Sequence, residues 1–216
     1  MIDIVREIGS VQREVGTGRL AAGEGRAVRL RRTYDASIDE VWDALTDPGR
    51  IGRWFLPISG DYRLGGTYQF EGNAGGEILE CERPTRLRVT WVYGEVTSPA
   101  DVSEVDLRLS AAGDGMTTLE LEHTAIVPDE FWTMYGPGAV GVGWDGGMLG
   151  LSLHLRGGSL GDPMAWMVSA EGREFYRLTS VAWGAANEAA GADPAEVATM
   201  VANTTQFYAP DAQAPS

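Results

Sequence analysis

Of the side chains that most often do acid–base, nucleophilic or metal chemistry near neutral pH, the 216-residue chain holds two histidines and one cysteine. Neither His123 nor His154 has a second histidine or cysteine at ligand spacing, so no metal site is expected. Cys81 stands alone. It builds neither a disulfide nor a CxxC redox pair, and it reads as an inert core thiol. His123 follows Leu119 and Leu121 on one strand face, so its imidazole can point inward as a general base or orient a polar group of a ligand. A histidine satisfied by a backbone group at the sheet end is the plainer reading. His154 falls near the end of a long helix, where a protonated imidazole would complement the dipole. A catalytic reading therefore needs His123, or a buried carboxylate such as Glu80, with a shifted pKa. No serine lies in a GxSxG elbow, no glycine-rich loop has the spacing of a phosphate cradle, and no cofactor is expected.

Aromatic and aliphatic side chains are the larger resource, and regular elements must position them. Tyr34 closes an alternating strand; Ser37 then stands as an N-cap with Glu40 three residues on, the pattern of a capping box. The helix that starts at Ile38 puts Ile38, Val41, Trp42 and Leu45 on one face. Asp47-Pro48-Gly49 stops it, and a short helix over 50–55 delivers Trp54 and Phe55 at a loop tip. Period-two patterning predicts strands over 67–71, 77–82, 85–93, 102–110 and 116–124, an antiparallel sheet with one wet face. Leu87, Val89, Trp91 and Tyr93 share its apolar side. Arg29 and Arg31 fall opposite Val28 and Leu30; they and the 83–88 arginines read as a solvated face paired with carboxylates rather than as an anion site. Over 138–155 the period becomes helical: Val140, Trp144, Met148, Leu151 and Leu155 form a stripe among glycines that require close approach or empty space beside the helix.

The ends are less patterned. Residues 1–24 form an N-terminal extension whose second apolar spot can pair as an edge strand. Over 161–210 a helical C-terminal extension opens at Asp162-Pro163 with Met164, Met167, Val168, Phe175, Leu178 and Ala182 on one face. A last helix opens at Asp193. Its aromatic residues fit a homodimer contact or a lid, and the residues after Pro210 read as a disordered tail. The formal charge of −14 disfavours nucleic acid and anionic lipid as partners. With no membrane-length apolar run and no signal-like start, a cytoplasmic setting is expected.

The segments YDASIDEVWDALTDPGRIGRWF, GDYRLGGTYQF, GGEILECERPTRLRVTW and GWDGGMLGLSLHL together resemble the START-like (SRPBCC) superfamily. Within it they are most similar to the branch named for the activator of the heat-shock-protein ATPase, over residues 25 to about 160. The resemblance implies an α+β helix-grip fold, a curved antiparallel sheet around a long helix with an apolar cavity between them. The expected lining is Trp54 and Phe55 at the mouth, Tyr68, Phe70, Trp91 and Tyr93 on the sheet, Trp144, Met148 and Leu151 on the helix, and His123 as a polar group. Binding of a small hydrophobic molecule is the leading expectation. A polyketide cyclase or aromatase-like enzyme and a co-chaperone for an ATPase are the alternatives that the resemblance raises.

Overall fold

A computed structural model describes residues 2–210; the tail expected after Pro210 lies outside the described residues. Helix α1 (Ile4–Gly9) starts where the Asp3 carboxylate accepts the Arg6 amide. Strands β1 (Gln12–Leu20) and β2 (Gly23–Tyr34) follow as a hairpin, then helices α2 (Ile38–Thr46) and α3 (Pro48–Ile51). Strands β3 (Ile58–Gly60), β4 (Thr67–Phe70), β5 (Gly75–Glu82), β6 (Arg86–Trp91), β7 (Ser103–Ala111) and β8 (Thr117–Ala125) run as a meander. Helices α4 (Asp129–Tyr135), α5 (Gly138–Leu155), α6 (Pro163–Val168), α7 (Ala170–Ala189) and α8 (Pro194–Tyr208) complete the chain. All eight strands form one antiparallel sheet in the order β1-β2-β8-β7-β6-β5-β4-β3, so α2 and α3 carry the chain from β2 to the far edge. No helix among the described residues is long and apolar enough to cross a membrane.

The wet face is built as expected. Register places Arg29, Glu122, Asp106, Arg88 and Glu80 in one row across five strands, and ion pairs Arg29–Glu122, Arg88–Glu104 and Arg88–Glu80 run along it. Opposite charges facing across strands stabilise such a surface modestly and leave no free cation patch there. Strand β5 departs from simple alternation: its register against β6 shifts between Ile78 and Glu80. One extra residue reverses the faces beyond it. Ile78 and Cys81 consequently both join the inner face, and Glu80 turns outward to Arg86 and Arg88.

Several boundaries differ from those expected. Ser37 accepts the Glu40 amide at 3.3 Å, but only this half of the capping box forms. Asp47 both ends α2 and caps α3, so the second helix is Pro48–Ile51 and Trp54 and Phe55 lie in the turn that follows. Within residues 1–24 the second apolar spot pairs as the edge strand expected, β1 lying against β2 over its whole length, with residue 24 inside β2. In the C-terminal segment Ser169 ends α6 and caps α7, its Oγ accepting the Gly172 amide. The break leaves Met164 and Val168 exposed, while Phe175 is buried as expected together with Tyr176, Thr179 and Trp183.

Helix α5 spans the residues its period implies and is sandwiched between the sheet and α7–α8. Two of its glycines are explained by close approach. A Cβ on Gly141 would fall inside the Trp183 indole, and one on Gly150 would lie 2.6 Å from the Trp54 carbonyl oxygen. Buried charges tie this sandwich together. Asp145 on α5 receives Arg13 of β1 and the Trp183 N–H, while Glu7 of α1 receives Arg32 and Arg156. Burial opposes ionisation of Glu7, yet the hydrogen bonds from Arg32 and Arg156 outweigh it and hold the carboxyl below its usual range.

Candidate functional site

Between the inner sheet face, the α2–α3 turn and α5 lies an apolar cavity of about 160 Å³. Alternation along β6 supplies Leu87, Val89 and Trp91; β4 supplies Tyr68 and Phe70; β7 and β8 supply Val105, Leu107, Leu119 and Leu121. Trp144, Gly147, Met148 and Leu151 recur along α5 at helical spacing and close the opposite wall. Gly147 contributes space rather than close approach, since a Cβ there would meet only Trp144 and Phe55 atoms at 3.9 and 4.0 Å.

Its rings pack edge to face or tilted against one another. Phe55 meets Phe70 at 5.0 Å between centroids, and Trp91 meets Trp144 at 4.9 Å and Phe70 at 5.6 Å. Most polar tips are already used. The Trp54 N–H donates to the Ala44 carbonyl at 2.9 Å, and the Thr46 hydroxyl to the Trp42 carbonyl at 2.8 Å. Tyr68 donates to the Thr90 carbonyl at 2.7 Å, and burial pushes its phenol pKa up. Behind Met148, the Tyr34 hydroxyl donates to its sulfur at 3.0 Å and fixes that flexible side chain.

Eight of the ten residues expected at a cavity border it: Trp54, Phe55, Tyr68, Phe70, Trp91, Trp144, Met148 and Leu151. Two do not. Tyr93 lies two residues beyond the end of β6; it is 64% exposed and donates to the Asn73 side chain at 2.8 Å. His123 stands behind Trp144, bordering a second hollow of about 40 Å³ with Val28, Phe131 and Val140. The Trp144 N–H donates to His123 Nδ1 at 3.0 Å, which leaves the ring proton on Nε2, 2.8 Å from Ser103 Oγ; that hydroxyl donates in turn to the Trp91 carbonyl. Side chains, not the backbone group expected, thus satisfy the imidazole. Burial lowers its pKa to about 4, and with both nitrogens engaged it is neutral and unavailable as a base.

The opening also differs from expectation. Trp54 and Phe55 are half-buried wall, whereas Tyr62 and Cys81 are the lining residues exposed to solvent. Cys81 is therefore a rim thiol and not a core one. No residue of 161–210 borders the cavity, so the C-terminal helices brace the outer side of α5 instead of forming a lid. Glu80 faces away, held by Arg86 and Arg88, so neither group that a catalytic reading requires reaches the hollow. His154 is pushed down by burial and by Arg50 and Arg53, which disfavours the protonated helix-end role. Among the described residues no three His, Cys, Asp or Glu side chains group as a metal would require. Sequence reading missed Tyr34 and Ser103; Tyr34 was detectable, because it shares the inward face of β2 with Val28 and Leu30.

Comparison with known proteins agrees with this geometry. The family described as activator of Hsp90 ATPase homolog 1-like protein matches residues 35–151. The crystal structure of CalU16 from Micromonospora echinospora is 38% identical, covering 82% of this chain and 98% of its own, with a TM-score of 0.65. The solution structure of CalU16 gives 39% identity, 83% and 96% coverage, and a TM-score of 0.69. DynU16, described as a protein in the dynemicin biosynthetic locus, is 25% identical over 62% of this chain and 48% of its own, with a TM-score of 0.52. No curated protein matches the chain. A family match across more than half of the residues, with a relative 38% identical along most of them, places the chain in the activator of Hsp90 ATPase homolog 1-like family, with the START-like helix-grip fold.

Proposed function

We propose that the protein encloses a small, uncharged, largely apolar molecule in the cavity between the sheet and α5. The observation that carries this reading is a hollow of about 160 Å³, walled by aromatic and aliphatic side chains and open beside Tyr62 and Cys81. Dry apolar cavities of about 150 Å³ accept a benzene-sized guest. A single ring hiding ~200 Å² of apolar surface at about 25 cal/mol per Å² gains ~5 kcal/mol, a dissociation constant near 0.2 mM. Tighter binding requires a guest that also covers the exposed rim.

The indole N–H signals of Trp54 and Trp144 report on the walls directly. Titration with neutral single-ring compounds such as ethylbenzene is expected to shift both saturably, and the Gly147→Leu variant, whose new side chain would occupy the hollow, is expected to lose the response. Unchanged indole signals across neutral fragments at millimolar concentration would refute enclosure. Native mass spectrometry of gently purified protein then identifies the retained class.

A further inference from the structure

We infer that Trp144, pinned by His123, is the end wall that sets how far a guest reaches along the enclosing cavity proposed above, so that the ligand class is a compact, single-ring molecule rather than an extended one. The cavity and the second hollow of about 40 Å³ follow one another along the space between the sheet and α5, and no described residue borders both. The boundary falls at the same level on each wall. On the sheet, Val89, Val105, His123 and Val28 face one another in a single row across β6, β7, β8 and β2. Val89 and Val105 belong to the cavity, His123 and Val28 to the second hollow. On α5, Trp144 belongs to the cavity, and Val140, one turn earlier, to the second hollow. The Trp144 indole and the His123 imidazole meet at that boundary, with ring centroids 5.8 Å apart. Both are held in place. The Trp144 N–H donates to His123 Nδ1 at 3.0 Å, Trp91 packs against the indole at 4.9 Å, and the other imidazole nitrogen lies 2.8 Å from Ser103 Oγ. Moving the indole aside would leave the buried His123 Nδ1 unpaired, which outweighs the gain from burying one further methylene of a guest.

Ethylbenzene and butylbenzene share a ring and differ in chain length, which makes them the probes, and NOEs from guest protons to valine methyls report their reach. In wild-type protein both are expected to contact Val105, and neither should contact Val28 or Val140. In Trp144→Ala the partition is gone. Butylbenzene should then contact Val105 and Val28 together, and its preference over ethylbenzene should rise roughly tenfold, since two further methylenes leave water at about fourfold each. Trp144→Leu, which keeps an apolar filler on α5, takes the place of an alanine variant that does not fold. Leu151→Ala enlarges the cavity two turns away from the boundary, so it separates a lost partition from mere added volume and should bring neither probe to Val28. Contacts to Val28 in wild type, their absence in the folded Trp144 variant, or their appearance in Leu151→Ala overturns the assignment and, while ethylbenzene still contacts Val105, leaves enclosure standing. If neither probe binds wild-type protein, both readings fall.

Discussion

Glycine-to-alanine substitutions along α5 should differ in sign according to what each new Cβ meets, and this series tests whether the hollow exists. In a helix interior, alanine is favoured over glycine by about 0.8–1.0 kcal/mol. At Gly147 the added methyl meets Trp144 and Phe55 at ordinary contact distance, so the whole gain should be realised. For a chain of this size about 1 kcal/mol raises the melting temperature by ~2–4 °C. Gly147→Leu extends three further carbons into the cavity at about 0.8 kcal/mol each, less ~0.5–1 kcal/mol of rotamer entropy, for a net gain of ~2–3 kcal/mol. Gly150→Ala places its Cβ 2.6 Å from the Trp54 carbonyl; overpacking of about 1–3 kcal/mol then cancels or exceeds the propensity gain. Gly141→Ala collides with the Trp183 indole, which is 1% exposed and anchored to Asp145, so it should cost about 3 kcal/mol or more. Urea unfolding of the four variants is expected to rank Gly147→Leu above Gly147→Ala, then wild type, Gly150→Ala and Gly141→Ala. A Gly147→Ala protein as unstable as Gly141→Ala would show that the space beside residue 147 is filled, and the cavity argument would fail with it.

Three other outcomes follow from buried groups. His123 has a folded-state pKa of about 4 against an ordinary 6.5, so the unfolded chain binds its proton more readily; stability should be full above pH 6.5 and fall by about 3 kcal/mol as pH drops to 4. His123→Gln removes this increment, and the stability gap between the two proteins should narrow across that window in urea titrations; a constant gap would refute it. Asp145→Ala leaves Arg13 buried and unpaired and should cost about 3–5 kcal/mol, whereas replacing Arg13 and Asp145 together by apolar residues should cost less than either single change. Ser169→Ala removes the cap between α6 and α7 and should lower stability by about 1 kcal/mol in thermal melts, with no effect on the indole signals of Trp54 and Trp144.

Much of this architecture was legible from local pattern. The span of α5 follows from a helical stripe bounded by Pro137 and Gly157, and five strands follow from alternation between turn clusters. Strand alternation, the helical stripe of α5 and the family resemblance together named eight members of the cavity wall, because a residue's face follows from its position wherever a strand or helix is regular. Alternation failed at particular points for particular reasons. A one-residue bulge near Leu79 exchanged the faces of Glu80 and Cys81, turning the acid outward and bringing the thiol to the inner face, where its place at the cavity rim leaves it exposed. Tyr93 continues the alternation of β6 but lies past its end. Arg32 occupies the inward face of β2 with Leu30 and Tyr34, where alternation implies an apolar residue, and is neutralised by Glu7, 25 residues away in the chain.

By itself, the order of apolar and polar residues determined the elements and the aromatic character of the interior, since each depends on spacing within one segment, while the fold family was implied by the resemblance that four motifs carry. Only tertiary structure decided which donors were spent, and on which acceptors. Trp144 pairs with His123 across 21 residues, Tyr68 with Thr90 across 22, and Asp145 with Arg13 across 132. Whether a buried polar group is satisfied depends on neighbours brought by other elements, and local periodicity carries no information about them. For the same reason the aromatic stripe alone could not separate filled core from hollow: that difference rests on the missing side chain of Gly147 facing Phe55, two groups that meet only when α5 lies across the sheet.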